Sequence, residues 1–153
     1  MKSFLFLIAL IFATLSLDAQ QTFIWDHYGL AVDVPDDFQV SKNTDTEFEM
    51  VGDGMNMYMY LFDADITLET MDEAIVAAAT EMQMSEVDRA LALTGGGLDG
   101  LYVEGYKDGH RVMLAGFIDP SSHTNFMMLI MFGDDDSVAD EDAIAIFNTV
   151  RVN

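Results

Sequence analysis

The sequence predicts an α+β fold, in which two helices pack on an antiparallel sheet of about seven strands. Three features of the 153-residue chain support this prediction. Short apolar or alternating segments are separated by turn residues, as in strands joined by hairpins. Two other segments carry apolar residues at helical spacing. The segment from Phe126 to Phe132 is apolar at every position, so we expect a central strand that is covered on both faces.

The predicted strands follow one another as hairpins. Gly52-Asp53-Gly54 and Asp108-Gly109 are turn sequences of the kind that joins antiparallel strands, and Asp119 to His123 is a turn that contains proline. In the hairpin at Asp108-Gly109 we expect Tyr106 to lie opposite Arg111. The predicted strands are, in chain order, Thr22–His27, Leu30–Val34, Thr46–Val51, Met55–Phe62, Arg89–Thr94, Leu98–Tyr106, His110–Asp119 and Phe126–Phe132.

Two helices are predicted, Thr67–Met84 and Asp140–Arg151. Acidic residues are concentrated at the start of each segment, where the positive end of a helix dipole favours them. Each segment also has an apolar stripe at helical spacing. The stripe of the first helix is Leu68, Met71, Ile75, Ala78, Ala79 and Met82, and that of the second is Ala143, Ile146, Phe147 and Val150.

Two connections between these elements are also predicted. Ser41 to Asp45 is polar and is predicted as a turn. Gly95-Gly96-Gly97 precedes a strand instead of a helix, so we expect a flexible connector and not a phosphate-binding loop.

The amino-terminal segment, residues 1–19, is predicted to be a secretory signal peptide. Lys2 is followed by an apolar run from Phe4 to Leu15, and Ala19 offers a small residue for cleavage. The alternative is an uncleaved membrane anchor, although the apolar run is short for a span. We therefore expect an exported protein, periplasmic or extracellular, with one α+β domain at residues 20–153. The chain has no cysteine, so its fold is built without disulfides.

The net charge of −21 sets limits on the partners. Removal of residues 1–19 leaves this value unchanged, because that segment holds one lysine and one aspartate. Nucleic acids and anionic membrane surfaces are bound through Lys and Arg, so the sequence argues against both. The charge permits a basic partner or divalent cations, and it is also explained by a well-solvated surface.

The sequence offers no catalytic constellation, and we expect neither an enzyme nor a bound cofactor. The three histidines, His27, His110 and His123, lie in separate turns or strand ends. Ser121 and Ser122 are adjacent to His123, but this arrangement is ordinary in a turn. Nucleophilic catalysis would need a serine or threonine held against a base by the fold.

Two clusters suggest metal binding as an alternative function. Met55, Met57 and Met59 share one face of a predicted strand, and thioethers are soft ligands for Cu(I). Core packing explains the same pattern. The acidic residues at 134–136 and 140–142 could bind Ca²⁺, but their spacing lacks a calcium loop's pattern and helix capping explains them more simply.

Aromatic residues on the predicted sheet are the candidates for an interaction surface. An aromatic patch on a sheet face can bind a partner protein or an apolar ligand. The alternative is a second face covered by a loop or helix. The candidates are Tyr58, Tyr60, Phe62, Tyr102, Tyr106 and Phe117.

Both ends of the predicted domain resemble the PsbP-like group of small α/β/α sandwich proteins. Tyr28-Gly29-Leu30, followed by Pro35 and Phe38, is similar to the start of that group, and Ala143 to Arg151 is similar to its closing helix. The resemblance implies a sandwich fold with a non-catalytic binding or accessory role. It brings no catalytic residues to this chain.

Overall fold

The computed structural model describes residues 20–52, 54–62, 65–93, 95–122, 124–135 and 138–153, so the predicted signal peptide lies outside it. Within these ranges the helices are α1 (Met71–Glu81) and α2 (Ala139–Phe147). The strands are β1 (Gln20–Trp25), β2 (Leu30–Pro35), β3 (Gln39–Asn43), β4 (Glu47–Gly52), β5 (Met55–Phe62), β6 (Leu91–Leu93), β7 (Asp99–Lys107), β8 (His110–Asp119), β9 (Thr124–Gly133) and β10 (Arg151–Val152).

The main sheet has seven antiparallel strands in the order β3-β4-β5-β9-β8-β7-β6. This confirms the predicted α+β fold class, and β9 is the central strand that the apolar run at Phe126 predicted. The hairpin register is also confirmed, with Tyr106 opposite Arg111. Asp108 and Gly109 both have positive φ (51° and 80°), as a two-residue turn of this kind requires.

Strands β1, β2 and β10 form a second, three-stranded sheet. The predicted second helix, Asp140–Arg151, is too long, because α2 ends at Phe147 and Arg151 lies in β10, opposite Ala31 of β2. The predicted first helix, Thr67–Met84, shortens to Met71–Glu81. The predicted turn at Ser41–Asp45 is wrong, since β3 runs through Asn43. All five residues of β3 are exposed, and neither face of this strand is buried. Its sequence therefore lacks the alternating apolar pattern by which a strand is predicted.

The main sheet lies between two layers. On one face, here called the α2 side, α2 and the small sheet cover a core that includes Trp25, Phe48 and Phe126. On the other, the α1 side, α1 packs mainly on β7 and β8. The contact on the α1 side is close: a Cβ added to Gly116 of β8 would lie 2.6 Å from the sulfur of Met71.

The connector at Gly95-Gly96-Gly97 is more than the flexible link that was expected, because Gly95 and Gly96 lie in close contact with the chain beyond α2. A Cβ on Gly95 would overlap the carbonyl oxygen of Asn148, and one on Gly96 would overlap that of Val150. These glycines let the chain pass directly against the segment that leaves α2 and enters β10.

In the part of the chain that the structure describes, no helix is long and apolar enough to cross a membrane.

Candidate functional site

The candidate site is the part of the α1 side that α1 leaves uncovered. Strand alternation places Tyr58, Tyr60 and Phe62 of β5 on this side, and it places the methionines between them on the opposite side. Met127 and Met131 of β9 lie beside them, with Met127 opposite Tyr60. All five side chains are half-buried. We call this set, Tyr58, Tyr60, Phe62, Met127 and Met131, the open tyrosine face.

The two tyrosines form a stacked pair. Their ring centroids are 6.4 Å apart and their planes differ by 4°. Stacking along one strand fixes both rings in nearly the same direction. A stacked, partly exposed aromatic pair offers apolar area to a partner while its hydroxyl groups can form hydrogen bonds.

Charged residues of β3 and β4 border this face. Glu47 lies opposite Tyr60 and Glu49 lies opposite Tyr58 across the β4–β5 pair. Lys42 of β3 bonds to Glu47 and lies 3.7 Å from Glu49, and the hydrogen bond to Glu47 raises the pKa of Lys42. Two carboxylates and one ammonium group therefore leave this border acidic.

The phenol of Tyr60 is kept in its neutral form by its surroundings. Burial raises the pKa of Tyr60, and the nearby carboxylates of Glu49 and Glu47 raise it further. Tyr60 thus retains its hydroxyl proton over the physiological range and can donate it in a hydrogen bond.

The six predicted aromatic residues do not form one surface, and this part of the prediction is wrong. Tyr58, Tyr60 and Phe62 lie on the α1 side, but Tyr102, Tyr106 and Phe117 lie on the α2 side. Side-chain direction is set by register across four strands, β5-β9-β8-β7. The sequence predicted the β7–β8 register but carried no signal for the β5–β9 register, on which the relative direction of β5 and β7 depends.

The three predicted candidates on the α2 side, Tyr102, Tyr106 and Phe117, lie near α2 and the turn that precedes it. Phe117 is buried against Phe147 of α2, with ring centroids 6.3 Å apart at 68°. Tyr102 also contacts Phe147, at 6.3 Å and 45°. Burial raises the pKa of Tyr102, and the nearby Asp134 carboxylate raises that of Tyr106. Phe117 and Tyr102 therefore help to hold α2 on the sheet.

Sequence reasoning missed the two methionines of β9 in this face. Their strand is apolar on both sides, so nothing in its pattern distinguishes the covered residues from the half-exposed Met127 and Met131. The length of α1 was the available clue. A single helix of 11 residues covers only part of a seven-stranded sheet.

The predicted metal-binding residues lie in other surroundings. Met55, Met57 and Met59 are at most 1% exposed and pack in the core of the α2 side. Asp140 lies 3.9 Å from Arg111, and Asp136 falls outside the described residues. Among the residues that the structure describes, no group of three or more His, Cys, Asp or Glu is placed to hold a metal ion.

Ser121 and Ser122 bind the carboxylate of Asp119, with the Ser121 hydroxyl donating at 2.6 Å and the Ser122 hydroxyl at 2.5 Å. Burial alone would raise the pKa of Asp119, but these hydrogen bonds outweigh it and hold the pKa below its usual value. The serines thus close the β8–β9 turn. His27 and His110 are exposed, and His123 lies outside the described residues.

The fold is PsbP-like, as comparison with solved structures shows. Cyanobacterial PsbP (CyanoP) from Synechocystis sp. PCC 6803 superposes with a TM-score of 0.59 at 10% identity, over 92% of this chain and 96% of that one. LpqN, involved in cell envelope biogenesis of Mycobacterium tuberculosis, gives a TM-score of 0.52 at 15% identity, over 86% and 90%.

A protein from Bacteroides thetaiotaomicron gives a TM-score of 0.54 at 14% identity over 90% of this chain, which spans 49% of that protein's length. No protein-family model and no curated protein sequence matches this chain. At these identities the comparisons establish the shared fold.

Proposed function

We propose that this is an exported, acidic, non-catalytic binding or accessory protein that contacts a partner protein through the open tyrosine face. One observation carries the proposal. On the α2 side, the small sheet and α2 cover a buried core, whereas on the α1 side the part of β5 and β9 beyond α1 carries a stacked tyrosine pair, half-buried beside two methionines. Contiguous apolar area on a sheet face is costly to expose to water and is typical of an interaction surface.

The residue types support a protein partner. Tyrosine is enriched at protein interfaces because it brings a large apolar area and a polar end with few rotatable bonds. Methionine side chains adapt to irregular surfaces and fill gaps around such rigid rings.

The charge supports a basic partner. The border of the face carries Glu47 and Glu49 against Lys42, and the whole chain has a net charge of −21. Complementary charge raises the rate of encounter and discriminates against acidic competitors. We therefore expect the association rate to fall as ionic strength rises.

Export is supported by the amino-terminal pattern of a lysine, an apolar run and a small residue before Gln20. LpqN, which has the same fold, is involved in cell envelope biogenesis. The test is the intact mass of the protein from the culture medium or envelope fraction. A form that begins at Gln20 supports export, and retention of residues 1–19 in the cytoplasm contradicts it.

Site-specific photocrosslinking in the producing cells tests the interaction. A photoreactive phenylalanine at position 60 should give one discrete covalent adduct with another protein, because this residue lies at the centre of the face. The matched control is the same group at Leu91, which is 42% exposed and lies on the α2 side of β6.

The outcomes separate the possible occupants. An adduct at position 60 that is absent at position 91 and is lost with Tyr58→Asp supports the proposal. Equal labelling at both positions would mean non-specific contact. If a lipid or small molecule is labelled and no protein is, the open tyrosine face binds an apolar ligand and the proposed partner protein is wrong.

A further inference from the structure

A groove runs along α1 on the side opposite the open tyrosine face. It lies between the helix and the segment that enters β6, over β7, and it has a volume of about 610 Å³. The open tyrosine face lies over β5 and β9, so α1 stands between the two surfaces. The groove is lined by Leu68, Glu69, Asp72, Glu73, Val76, Arg89, Ala90 and Leu101.

The apolar part of the groove is exposed to solvent. Leu68 is 47% exposed and Val76 is 42% exposed, and both lie off the buried stripe of α1 at Met71, Ile75 and Ala79. Leu101 of β7 is half-buried at the groove. Large aliphatic side chains that converge on one concavity offer an anchor point for an apolar side chain of a ligand.

The charged part of the groove is unequal. Glu69, Asp72 and Glu73 stand on the helix side, and Arg89 is the basic residue in the lining. None of these four residues forms a salt bridge within the described part of the chain. Asp72 accepts a hydrogen bond from the backbone N–H of Glu73 at 2.8 Å. The lining therefore has three carboxylates and one guanidinium group, and this excess of negative charge favours a ligand of net positive charge.

We propose that this groove binds a basic amphipathic segment of a protein, with an apolar side chain seated on Leu68, Val76 and Leu101 and Lys or Arg groups at the acidic wall. Charge complementarity and the exposed aliphatic side chains select this chemistry together. The net charge of −21 favours encounter with such a segment. The proposal does not depend on the open tyrosine face.

The test uses the protein purified in the form in which its cells accumulate it. The probe is a fluorescein-labelled amphipathic peptide of leucine and lysine, and binding is measured by fluorescence anisotropy at physiological ionic strength. Two comparison peptides replace lysine by glutamate or leucine by serine. We expect the leucine–lysine peptide to bind at least about tenfold more tightly than either comparison peptide, since the groove needs both parts.

Matched variants locate the site. The double variant Asp72→Asn/Glu73→Gln should weaken binding about tenfold. Its control, Asp36→Asn/Asp45→Asn, makes the same change in net charge at exposed positions outside the groove and should leave binding within about twofold. Val76→Lys should weaken binding, because it adds a positive charge and a longer side chain inside the groove. Its control is Val40→Lys, at a 38% exposed position of the edge strand β3.

Because Val76 is exposed, the Val76→Lys variant should fold normally, and a thermal melt followed by circular dichroism checks this. Equal weakening by the groove and control variants would overturn the proposal, because binding would then be diffuse attraction to an acidic surface. Arg89→Gln should leave binding equal or tighter. Weaker binding in that variant would show that the ligand needs a carboxylate against Arg89, which overturns the basic segment.

Discussion

The two sides of the main sheet differ in how completely they are covered, and β5 shows the difference within eight residues. Its methionines on the α2 side are at most 1% exposed beneath the small sheet, whereas Tyr58 and Tyr60 on the α1 side remain half-buried. Alternate residues of one strand therefore serve different purposes. The three methionines build the core of the α2 side, whereas the aromatic residues lie at the edge of the core on the α1 side and remain partly exposed.

The cause lies in what each layer contributes. On the α2 side, the small sheet places Trp25 near Phe48 and Phe126, with ring centroids at 6.3 and 6.1 Å, and α2 covers the adjoining strands. On the α1 side, a single helix of 11 residues rests mainly on β7 and β8. The following predictions, from the largest effect to the smallest, test whether this contrast governs stability and surface.

The contrast predicts very different costs for removing an aromatic side chain on each side. Trp25→Ala should lower the free energy of unfolding by about 3–5 kcal/mol, because the side chain is fully buried and donates a hydrogen bond from its ring Nε1 to the Thr44 carbonyl at 2.5 Å. Tyr60→Ala should cost about 1 kcal/mol or less. Urea unfolding followed by circular dichroism measures both, and equal losses would mean that the open tyrosine face is part of the core.

The close contact at the glycines predicts the next largest effect. Gly96 has φ of 72°, and a Cβ there would overlap the Val150 carbonyl, so Gly96→Ala should lower stability by about 2 kcal/mol or more. Gly97 has φ of 80° with nothing within 4 Å, so Gly97→Ala should show backbone strain alone, about 1 kcal/mol. Thermal melts of both variants provide the comparison. A flexible connector would give equal, small losses for the two.

A smaller effect is expected where β10 joins β2. Arg151 donates to Asp33 through Nη1 and Nη2 at 2.9 and 3.0 Å, and these bonds hold the pKa of Asp33 below its usual value. Because the pair is partly exposed, Asp33→Asn should cost about 0.5–1 kcal/mol at neutral pH.

The sign of the pH dependence follows from the lowered pKa. The stabilisation is present above the unfolded-state pKa of about 3.9 and is lost as pH falls from there through the lower folded-state pKa. The difference in unfolding free energy between the natural protein and Asp33→Asn should therefore shrink below about pH 4. A difference that stays constant from neutral pH to acid would show that the charge is not responsible, and Arg151→Gln should remove the same dependence.

The sequence was sufficient for the parts of this fold that local patterns determine. The turn at Asp108-Gly109 determined one register, and the unbroken apolar run at Phe126 identified the central strand. It was insufficient where distant strands meet. Arg151 was assigned to a helix because its pairing with Ala31 of β2 leaves no local pattern.

The same limit applies to the candidate site. Tyr58, Tyr60 and Phe62 were recognised as one face because strand alternation is local. The prediction that Tyr102 and Phe117 lie beside them is wrong, because the side of Tyr102 depends on two intervening strands, β9 and β8, and that of Phe117 on one, β9. Coverage of a face also depends on where a helix comes to rest, and no sequence pattern gives that position for α1.

The smallest effect is a test of the two sides through their tyrosines. Burial raises the pKa of both Tyr60 and Tyr102, with Glu49 and Glu47 adding to the effect at Tyr60 and Glu104 at Tyr102. Glu49→Gln should lower the pKa of Tyr60, since one neighbouring negative charge is removed, and should leave the pKa of Tyr102 unchanged. Glu104→Gln should do the reverse.

Ring-carbon NMR of labelled tyrosine, assigned with Tyr60→Phe, resolves the two titrations. A change in the pKa of both tyrosines in either variant would contradict their separation by the sheet. A protein bound to the open tyrosine face would bury Tyr60 further and raise its pKa again, while Tyr102 beneath α2 would keep its value. Because Tyr60 and Tyr102 lie on opposite sides of the sheet, a partner on the open tyrosine face can change the pKa of Tyr60 and leave that of Tyr102 as it is.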